Sequence, residues 1–452
     1  MCEISPNLPE MLPYATEINY LCNHKRYEES MKPERRISSK QILLLFICCL
    51  ALGTALPTVL RAQAFDDRLY RTDYRLDPAR TGELRMAVEN LSFFQNNEFA
   101  GDVAPGYTLP GLWLRPKLTF QPLDNIRLEA GLHALVYHGA REYPNYSYQN
   151  IPSWQSSGYQ RGAHLMPYFR AQMQLRRVQL VLGHIYGGSN HRLAEPLYCP
   201  ELNLTADPEA GFQLLWDMPR FHLDAWINWE SFIFRQDVHN EVFTVGLSSE
   251  IKYNAPDAPL HAYTPLQATI QHRGGEIDDG QQSIPVSTLT NGAVGFGLVG
   301  NVNRRVLRQV FAEAYLLGYY QQNGNLSPLD KGYAAYAQAG LRMGTNWQLR
   351  GGYFYGKDFI SLLGLPYFGT VSTDHEEGIF ECMRTGFLTA DYSRPFGRAF
   401  ALGAQASLYY SAPGTLTDGD GTRSHVEPAV SYVFGVYFRA NLEFLIKRFG
   451  KK

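Results

Sequence analysis

Apolar and polar residues alternate with a period of two through most of the chain. Between Ile126 and Tyr137, alternate positions are apolar, while Arg127, Glu129 and His133 occupy the other set. Because successive side chains of a strand point to opposite faces, one face of this segment is apolar and the other carries charge. The segment 112–120 alternates in the same way, and the intervening Pro122–Asn125 has turn chemistry. We therefore predict a β-hairpin, with arms of about 9–11 residues, the length of a tilted membrane-crossing strand.

Similar units recur to the C-terminus. The alternation predicts sixteen strands, with short turns within pairs and longer polar loops between pairs, at 84–94, 112–120, 126–137, 165–175, 178–186, 211–216, 221–231, 241–253, 260–273, 288–300, 307–319, 332–343, 347–356, 384–394, 399–410 and 427–449. An even number of strands with both termini on one side fits a bacterial outer-membrane barrel. We predict an all-β fold, a transmembrane antiparallel up-and-down β-barrel of about 16 strands with short periplasmic turns and long extracellular loops. Counts of 14 or 18 and a soluble β-sandwich are the alternatives.

The N-terminus predicts export. Basic residues between Lys32 and Lys40 precede an apolar run from Ile42 to Leu52, and Ala62-Gln63-Ala64 is a small-residue cleavage site. This order is typical of a secretory signal peptide. We expect residues 1–30 to be a mis-annotated upstream extension, 31–64 the signal peptide, 65–449 one barrel domain and 450–452 a basic tail. An uncleaved membrane anchor and a lipoprotein acylated at Cys48 are less favoured.

Composition narrows the class further. After Leu60 no apolar run approaches the ~18 residues that a spanning helix needs. Only Cys199 and Cys382 follow the predicted cleavage site, so no disulfide framework is expected. A formal net charge of −2 argues against nucleic acid as a partner.

The hairpin pattern and the aromatic-ended last strand resemble Gram-negative outer-membrane β-barrels of the porin-like kind. The resemblance covers the predicted mature chain but identifies no subfamily. It implies residence in the cell outer membrane, contact with outer-membrane lipids and lipopolysaccharide, and handling by the barrel-insertion machinery. A homo-oligomer is compatible with it. The chain departs from the family pattern where Gly450-Lys451-Lys452 follow Phe449.

Motifs of soluble enzymes do not fit their structural context. Gly295–Gly300 spells GxGxxG but lies within a predicted strand, whereas a dinucleotide site needs a turn and a helix. The histidines lack metal-site spacing and no GxSxG motif occurs, so the sequence predicts no enzyme, no cofactor and no assigned metal site. The acidic stretches 276–279, 374–377 and 418–420 offer oxygen ligands for a divalent cation, although solvated loop charge explains them more simply.

The charged inward positions predict a pore lining. The set comprises Arg115, Lys117, Arg127, Glu129, Arg170, Asp224, Glu230, Glu313, Arg350 and Arg439. In a wide barrel such residues line water and shape the field that a solute meets; in a narrow one they pair across the lumen.

The long segment Gly187–Ala210 is too apolar for a freely solvated loop, and we expect it to fold into the lumen, with a cap or contact loop outside the pore as the alternative. Its candidate selectivity residues are His191, Arg192, Glu195, Tyr198 and Glu201. The leading interpretation is a porin-like channel for passive or semi-selective diffusion of small hydrophilic solutes. The alternatives are a plugged barrel acting as a hydrophobic-solute transporter, adhesin or structural protein, and a barrel-embedded hydrolase.

Overall fold

A computed structural model describes residues 65–140, 160–231, 241–274, 286–324, 327–375 and 377–450. The predicted upstream extension and signal peptide, and the acidic stretch 276–279, lie outside the described residues. Nineteen strands occur in this part of the chain. They are β1 Glu83–Glu98, β2 Tyr107–Leu123, β3 Ile126–Ala140, β4 Gln160–Leu175, β5 Val178–His184, β6 Ala210–Met218, β7 Phe221–Ser231, β8 Glu241–Lys252, β9 Leu260–Gly274, β10 Ser287–Asn301, β11 Leu307–Asn323, β12 Lys331–Met343, β13 Trp347–Lys357, β14 Ile379–Phe380, β15 Met383–Phe396, β16 Phe400–Ser411, β17 Gly414–Thr417, β18 Arg423–Val426 and β19 Ala429–Arg448.

Sixteen of these strands form one closed antiparallel barrel, which confirms the predicted fold. They are β1 to β13, β15, β16 and β19. The barrel closes where β1 pairs with β19 over the whole length of β1, from Glu83 opposite Arg448 to Glu98 opposite Tyr432. The remaining three strands, β14, β17 and β18, form a small separate sheet that the alternation did not predict, since they are only two to four residues long.

The two faces of the barrel wall follow the alternation. On β3, Leu128, Leu132 and Val136 are exposed on the outside, whereas Leu135 and Tyr137 are completely or almost completely buried on the inside. Phe438 on β19 is also exposed. Exposed apolar residues of this kind form the lipid-facing band of an outer-membrane barrel. Among the described helices, none is long and apolar enough to cross a membrane.

Three segments lie inside the barrel. The first begins with the short helix α1, Phe65–Leu69, which contacts β15, β16 and β19. The second, here called the inner segment, runs through 185–209 and contains a 3₁₀ turn at Gly188–His191 and helix α2 at Leu202–Thr205. The third follows β13 and contains a 3₁₀ turn at Pro366–Phe368. Together with the inward aromatic residues of the wall, these segments build one hydrophobic cluster within the lumen.

Apolar residues of the inner segment are buried inside the barrel. Leu197, Leu202 and Leu204 have almost no exposed surface. The backbone N–H of Cys199 donates to the carbonyl oxygen of Leu363 at 2.7 Å, which joins the inner segment to the segment that follows β13. Burying a leucine side chain contributes about 1.5–3 kcal/mol, so these residues alone strongly favour the docked position.

Candidate functional site

The barrel wall has a gap at one end between β4 and β6, because the intervening strand β5 is short; we call this gap the notch. β4 pairs with β3 from Gln160 to Met173, but on its other side it pairs with β5 only from Arg170 to Leu175. The outer half of β4, from Gln160 to Phe169, therefore has no strand partner on that side within the described residues. β1 begins at the end of the barrel where the short β2–β3 turn lies, and short turns are periplasmic in outer-membrane barrels. Strand alternation therefore places this notch at the outer end of the wall.

The length of β5 explains the notch. β5 has 7 residues. At roughly 3.3 Å per residue and a tilt of about 40°, such a strand rises about 18 Å along the membrane normal, less than the ~25 Å apolar band of a typical barrel. The strand ends where Gly183 has a φ of +85° and lies against the Phe169 ring, with no room for a Cβ atom. Glycine at this position allows the chain to leave the wall and enter the lumen.

A polar cavity lies behind the notch. Its volume is about 100 Å³, and it lies between the inner faces of β1 to β4 and the two ends of the inner segment. Residues from the wall include Glu89, Trp113, Arg115, His133, Tyr168, Arg170 and Arg439. Residues from the inner segment include Asp207 and Glu209.

The wall of this cavity holds a network of buried ion pairs. Lys117 Nζ lies 2.9 Å from Glu89 and 3.0 Å from Glu129. Arg115 contacts Glu89 at 3.3 Å, and Arg170 contacts Glu129 at 3.3 Å. Removing one partner of a buried pair leaves an uncompensated charge, which typically costs about 3–5 kcal/mol. The network therefore holds β1 to β4 in register on their inner face.

A histidine–aspartate pair lies at the edge of the notch. His164 on β4 and Asp207 of the inner segment are joined by His164 Nδ1, which lies 3.0 and 3.1 Å from the two carboxylate oxygens. An imidazole oriented by a carboxylate can accept a proton from water during ester hydrolysis. The pair is therefore the group at the notch best suited to base catalysis.

A second histidine fixes the inner segment to the wall. His191 Nδ1 lies 2.8 Å from Asp224 on β7, and its Nε2 lies 2.9 Å from Glu209. The ring stacks on Trp226, with centroids 3.5 Å apart and an angle of 10° between the planes. Burial alone would lower the pKa of the His191 imidazole, but Glu209 and Asp224 outweigh burial and raise it to about 10. His191 is thus a buried cation shared by two carboxylates, and we call these four residues the histidine clamp.

A smaller polar cavity, of about 40 Å³, lies on the other side of Tyr70. Its lining includes Glu201, which accepts hydrogen bonds from Asn97 at 2.9 Å and Tyr107 at 2.7 Å, and also from Gln95. Burial raises the pKa of Glu201 in spite of these hydrogen bonds. Glu195, in the same lining, pairs with Arg350 at 2.5 Å.

A family model matches residues 76–449, which is most of the chain and includes all sixteen barrel strands. It is described as lipid A 3'-O-deacylase-type. The chain belongs to this family.

Solved outer-membrane barrels are similar in architecture. OmpT of Vibrio cholerae is 9% identical, with 82% of this chain and 99% of that chain covered, at a TM-score of 0.42. OccAB3 of Acinetobacter baumannii is 11% identical, with 80% of this chain and 99% of that chain covered, at a TM-score of 0.42. OprD of Pseudomonas aeruginosa is 11% identical, with 83% of this chain and 98% of that chain covered, at a TM-score of 0.38. No curated protein matches the sequence. The predicted outer-membrane β-barrel is confirmed by the closed sixteen-stranded barrel and by the family match, and the likeness to these solved structures adds no argument about function.

The expectation that this protein is not an enzyme is wrong. The lipid A 3'-O-deacylase-type family is a family of enzymes. The sequence motifs missed this because the candidate residues come from separate strands and loops. His164 and Asp207, for instance, are 43 positions apart and form no short motif.

All ten predicted pore-lining residues point into the barrel, and most are paired there. Besides the ion pairs above, Arg127 contacts Glu129 at 3.5 Å, and Arg350 lies 3.6 Å from Asp391. Each of the others has a polar contact inside the barrel: Glu230 accepts from Thr244, Glu313 from Gln338, Asp224 from Gln213, and Arg439 donates to the carbonyl oxygens of Arg68 and Arg71. These ion pairs join neighbouring strands of the wall, as from Glu89 to Arg170, or join the wall to the inner segment, as Arg350 does with Glu195. Their part in solute passage stays a prediction.

The five candidate residues of the inner segment separate into different roles. His191 belongs to the histidine clamp, Glu195 pairs with Arg350, and Tyr198 and Glu201 line the two cavities. Arg192 has an exposed side chain and a positive φ of 55°.

Sequence reasoning did not single out Glu89, His164, Tyr168, Asp207 or Glu209. Glu89 on β1 and His164 and Tyr168 on β4 occupy inward positions of the period-two pattern, so the pattern could have indicated them. No comparable signal marked Asp207 and Glu209, because the inner segment is irregular.

Proposed function

We propose that this barrel hydrolyses an ester-linked acyl chain of a glycolipid in the outer leaflet. The observation that carries the proposal is the notch between β4 and β6, with the His164–Asp207 pair at its edge and a polar cavity behind it. The reaction class comes from the family, whose name describes the removal of an ester-linked acyl chain from lipid A.

Access through the notch suits a lipid substrate. The wall around the notch presents apolar side chains to the membrane, with Leu165, Phe169 and Leu182 all more than half exposed. An acyl chain contacts these residues while remaining in the bilayer. The ester and sugar then meet the polar groups behind the wall, so the substrate does not have to leave the membrane.

The chemistry assigned to the site is a direct attack by water. Asp207 orients the imidazole of His164, which accepts a proton from water as the oxygen attacks the ester carbonyl. The tetrahedral intermediate then collapses, the bond from the carbonyl carbon to the sugar oxygen breaks, and the sugar oxygen takes up the proton held by His164. The products are a free fatty acid and a sugar hydroxyl.

The test measures both products with refolded protein in mixed micelles containing lipopolysaccharide. Mass spectrometry is expected to show loss of one acyl chain from lipid A, with an equal amount of free fatty acid released. Asp207→Asn and His164→Gln are each expected to lower kcat by about 10²–10⁴, the range for a lost general base. His425→Gln, on the exposed strand β18, is the matched control. Absence of deacylation by the folded wild-type protein would overturn the proposal.

A second candidate is semi-selective passage of small hydrophilic solutes. One observation favours it: the two polar cavities share Tyr70, so polar groups follow one another through the interior on both sides of this ring. Planar-bilayer recording of refolded protein distinguishes the candidates. Steady conductance without deacylation would support passage, whereas deacylation in a silent barrel would support the hydrolase.

A further inference from the structure

We infer that the cavity behind the notch is an anion site that holds one phosphate or carboxylate group between Arg115, His133 and Tyr168. As a subsite for a lipid headgroup it rests on the proposed function. As a site for an anion it stands without any catalysis, because its evidence comes from other side chains.

The first observation is a set of buried polar atoms without partners. Among the described residues, Arg115 Nε, His133 Nε2 and the Tyr168 hydroxyl are fully buried and have no hydrogen-bond partner. All three residues line the same cavity. A buried polar group without a partner costs about 1–3 kcal/mol, so three around one cavity indicate a missing ligand or water.

The second observation is that these groups can donate hydrogen bonds. Arg115 Nη2 lies 3.4 Å from His133 Nδ1, and arginine only donates. His133 Nδ1 is therefore the acceptor, and the proton of the neutral ring is on Nε2, the atom without a partner. Arg115 Nε is a donor in every state, and the Tyr168 hydroxyl can donate as well. The three groups together suit an acceptor-rich ligand such as phosphate or carboxylate.

The third observation is an excess of positive charge in this wall. Five cations, Lys117, Arg115, Arg127, Arg170 and Arg439, surround two carboxylates, Glu89 and Glu129. Three of the cations also lie around the Tyr168 ring, with Arg115 Cζ 4.7 Å, Lys117 Nζ 5.4 Å and Arg170 Cζ 5.5 Å from its centroid. An anion next to this wall would therefore meet more cations than carboxylates.

The opposite side of the cavity gives the ligand an orientation. Asp207 and Glu209 line it there, each facing a histidine, His164 and His191 respectively. These carboxylates disfavour an anion on the side of the inner segment and leave the β2–β4 wall as its position. The volume of about 100 Å³ has room for several waters, and hence for a group of about five heavy atoms such as phosphate.

The experiment titrates refolded protein in a zwitterionic detergent with inorganic phosphate, measured by calorimetry and by tryptophan fluorescence. Of the six tryptophans, Trp113 lines the cavity, and Arg115 Cζ lies 5.1 Å from its ring. Wild-type protein is expected to bind phosphate saturably. Arg115→Gln is expected to weaken binding at least tenfold, and Tyr168→Phe, which removes only the hydroxyl, about three- to tenfold.

Arg342→Gln is the matched control. Arg342 is another inward arginine, bonded to Gln309 at 2.7 Å and outside the cavity lining, so its loss removes the same charge from the lumen. If Arg115→Gln does not fold, Tyr168→Phe decides. Absence of saturable binding, or equal weakening in Arg342→Gln, would overturn the site.

Competition separates the two sources of the anion. Micelles containing phosphatidic acid are compared with micelles containing phosphatidylcholine at equal lipid. Displacement of phosphate by phosphatidic acid alone identifies a lipid headgroup, and no displacement by either lipid identifies a free anion. Because binding is measured without turnover, phosphate binding in a protein that releases no fatty acid would refute the proposed function and leave the anion site intact.

Discussion

The histidine clamp provides the sharpest test of how the inner segment is held. Replacing His191 with glutamine removes the cation between Glu209 and Asp224 while keeping a polar side chain of similar length. Two buried carboxylates then face each other without compensation, because Asp224 is fully buried and Glu209 nearly so. We expect the docked position to lose about 3–5 kcal/mol relative to an undocked inner segment.

The raised pKa of His191 corresponds to a stabilisation of the same order. A rise from about 6.5 in a solvated chain to about 10 in the docked state corresponds to roughly 5 kcal/mol. Because the docked pKa is the higher one, this stabilisation is fully present below pH ~6.5 and is lost as the pH rises through about 10. At pH 8 about 2 kcal/mol should already be gone.

Trypsin cleavage after Arg192 is a direct assay of undocking, since the protease cannot reach this bond inside the lumen. His191→Gln should raise the cleavage rate at pH 6 by about two to three powers of ten, one for each 1.4 kcal/mol. The increase of the rate with pH between 7 and 10 should disappear in the variant. His222→Gln, which changes a histidine paired with Asp217 at a turn, is the control.

Two results would refute this reasoning. One is a cleavage rate in His191→Gln within twofold of the wild-type rate. The other is an unchanged pH dependence in the variant. Changing Glu209 and Asp224 to their amides in the same chain should restore much of the protection if charge is the cause.

Three further predictions concern the wall and the lumen. Leu128→Arg on the lipid face should lower the free energy of unfolding in urea by about 2–4 kcal/mol. Gln267→Arg should lower it by as much, because Gln267 forms hydrogen bonds with the inner segment. A much smaller loss in Gln267→Arg would mean that the segment is not docked there. Glu195→Gln should destabilise the barrel by about 1.5–3 kcal/mol, because Arg350 loses its closer partner but keeps Asp391, and an unchanged denaturation midpoint would contradict this. Deleting residues 190–205 should raise single-channel conductance in a barrel that still resists SDS, and unchanged conductance would place the segment outside any conducting path.

The alternation of residues predicted the barrel because a barrel wall is regular. Each strand has one lipid face and one inner face, so a period of two records the fold directly. The prediction extended β5 to Tyr186, whereas the strand ends at His184. The difference arises because Gly183 turns the chain inward, and period-two counting does not register backbone geometry.

The candidate site was less accessible to sequence reasoning. Its decisive contacts join residues that are far apart in the chain, such as Glu195 with Arg350 and His191 with Asp224. The apolar residues Leu197, Leu202 and Leu204 indicated that the inner segment docks, but not which charges it meets. The sequence also could not show that the inward Gln267 accepts a hydrogen bond from the backbone of this segment.

This barrel has two apolar surfaces: an outer surface that faces lipid, and an inner surface formed by the packed aromatic cluster in the lumen. The outer surface stays in lipid or detergent whether or not the inner segments are docked, so undocking leaves its hydration unchanged. The inner surface, with Phe354, Phe359, Tyr367 and Phe368 almost completely buried, meets water when the inner segments leave. Exposure of apolar surface to water raises the heat capacity. Calorimetry should therefore register the undocking of the interior as a separate step with a positive heat-capacity change, ahead of any loss of the strands.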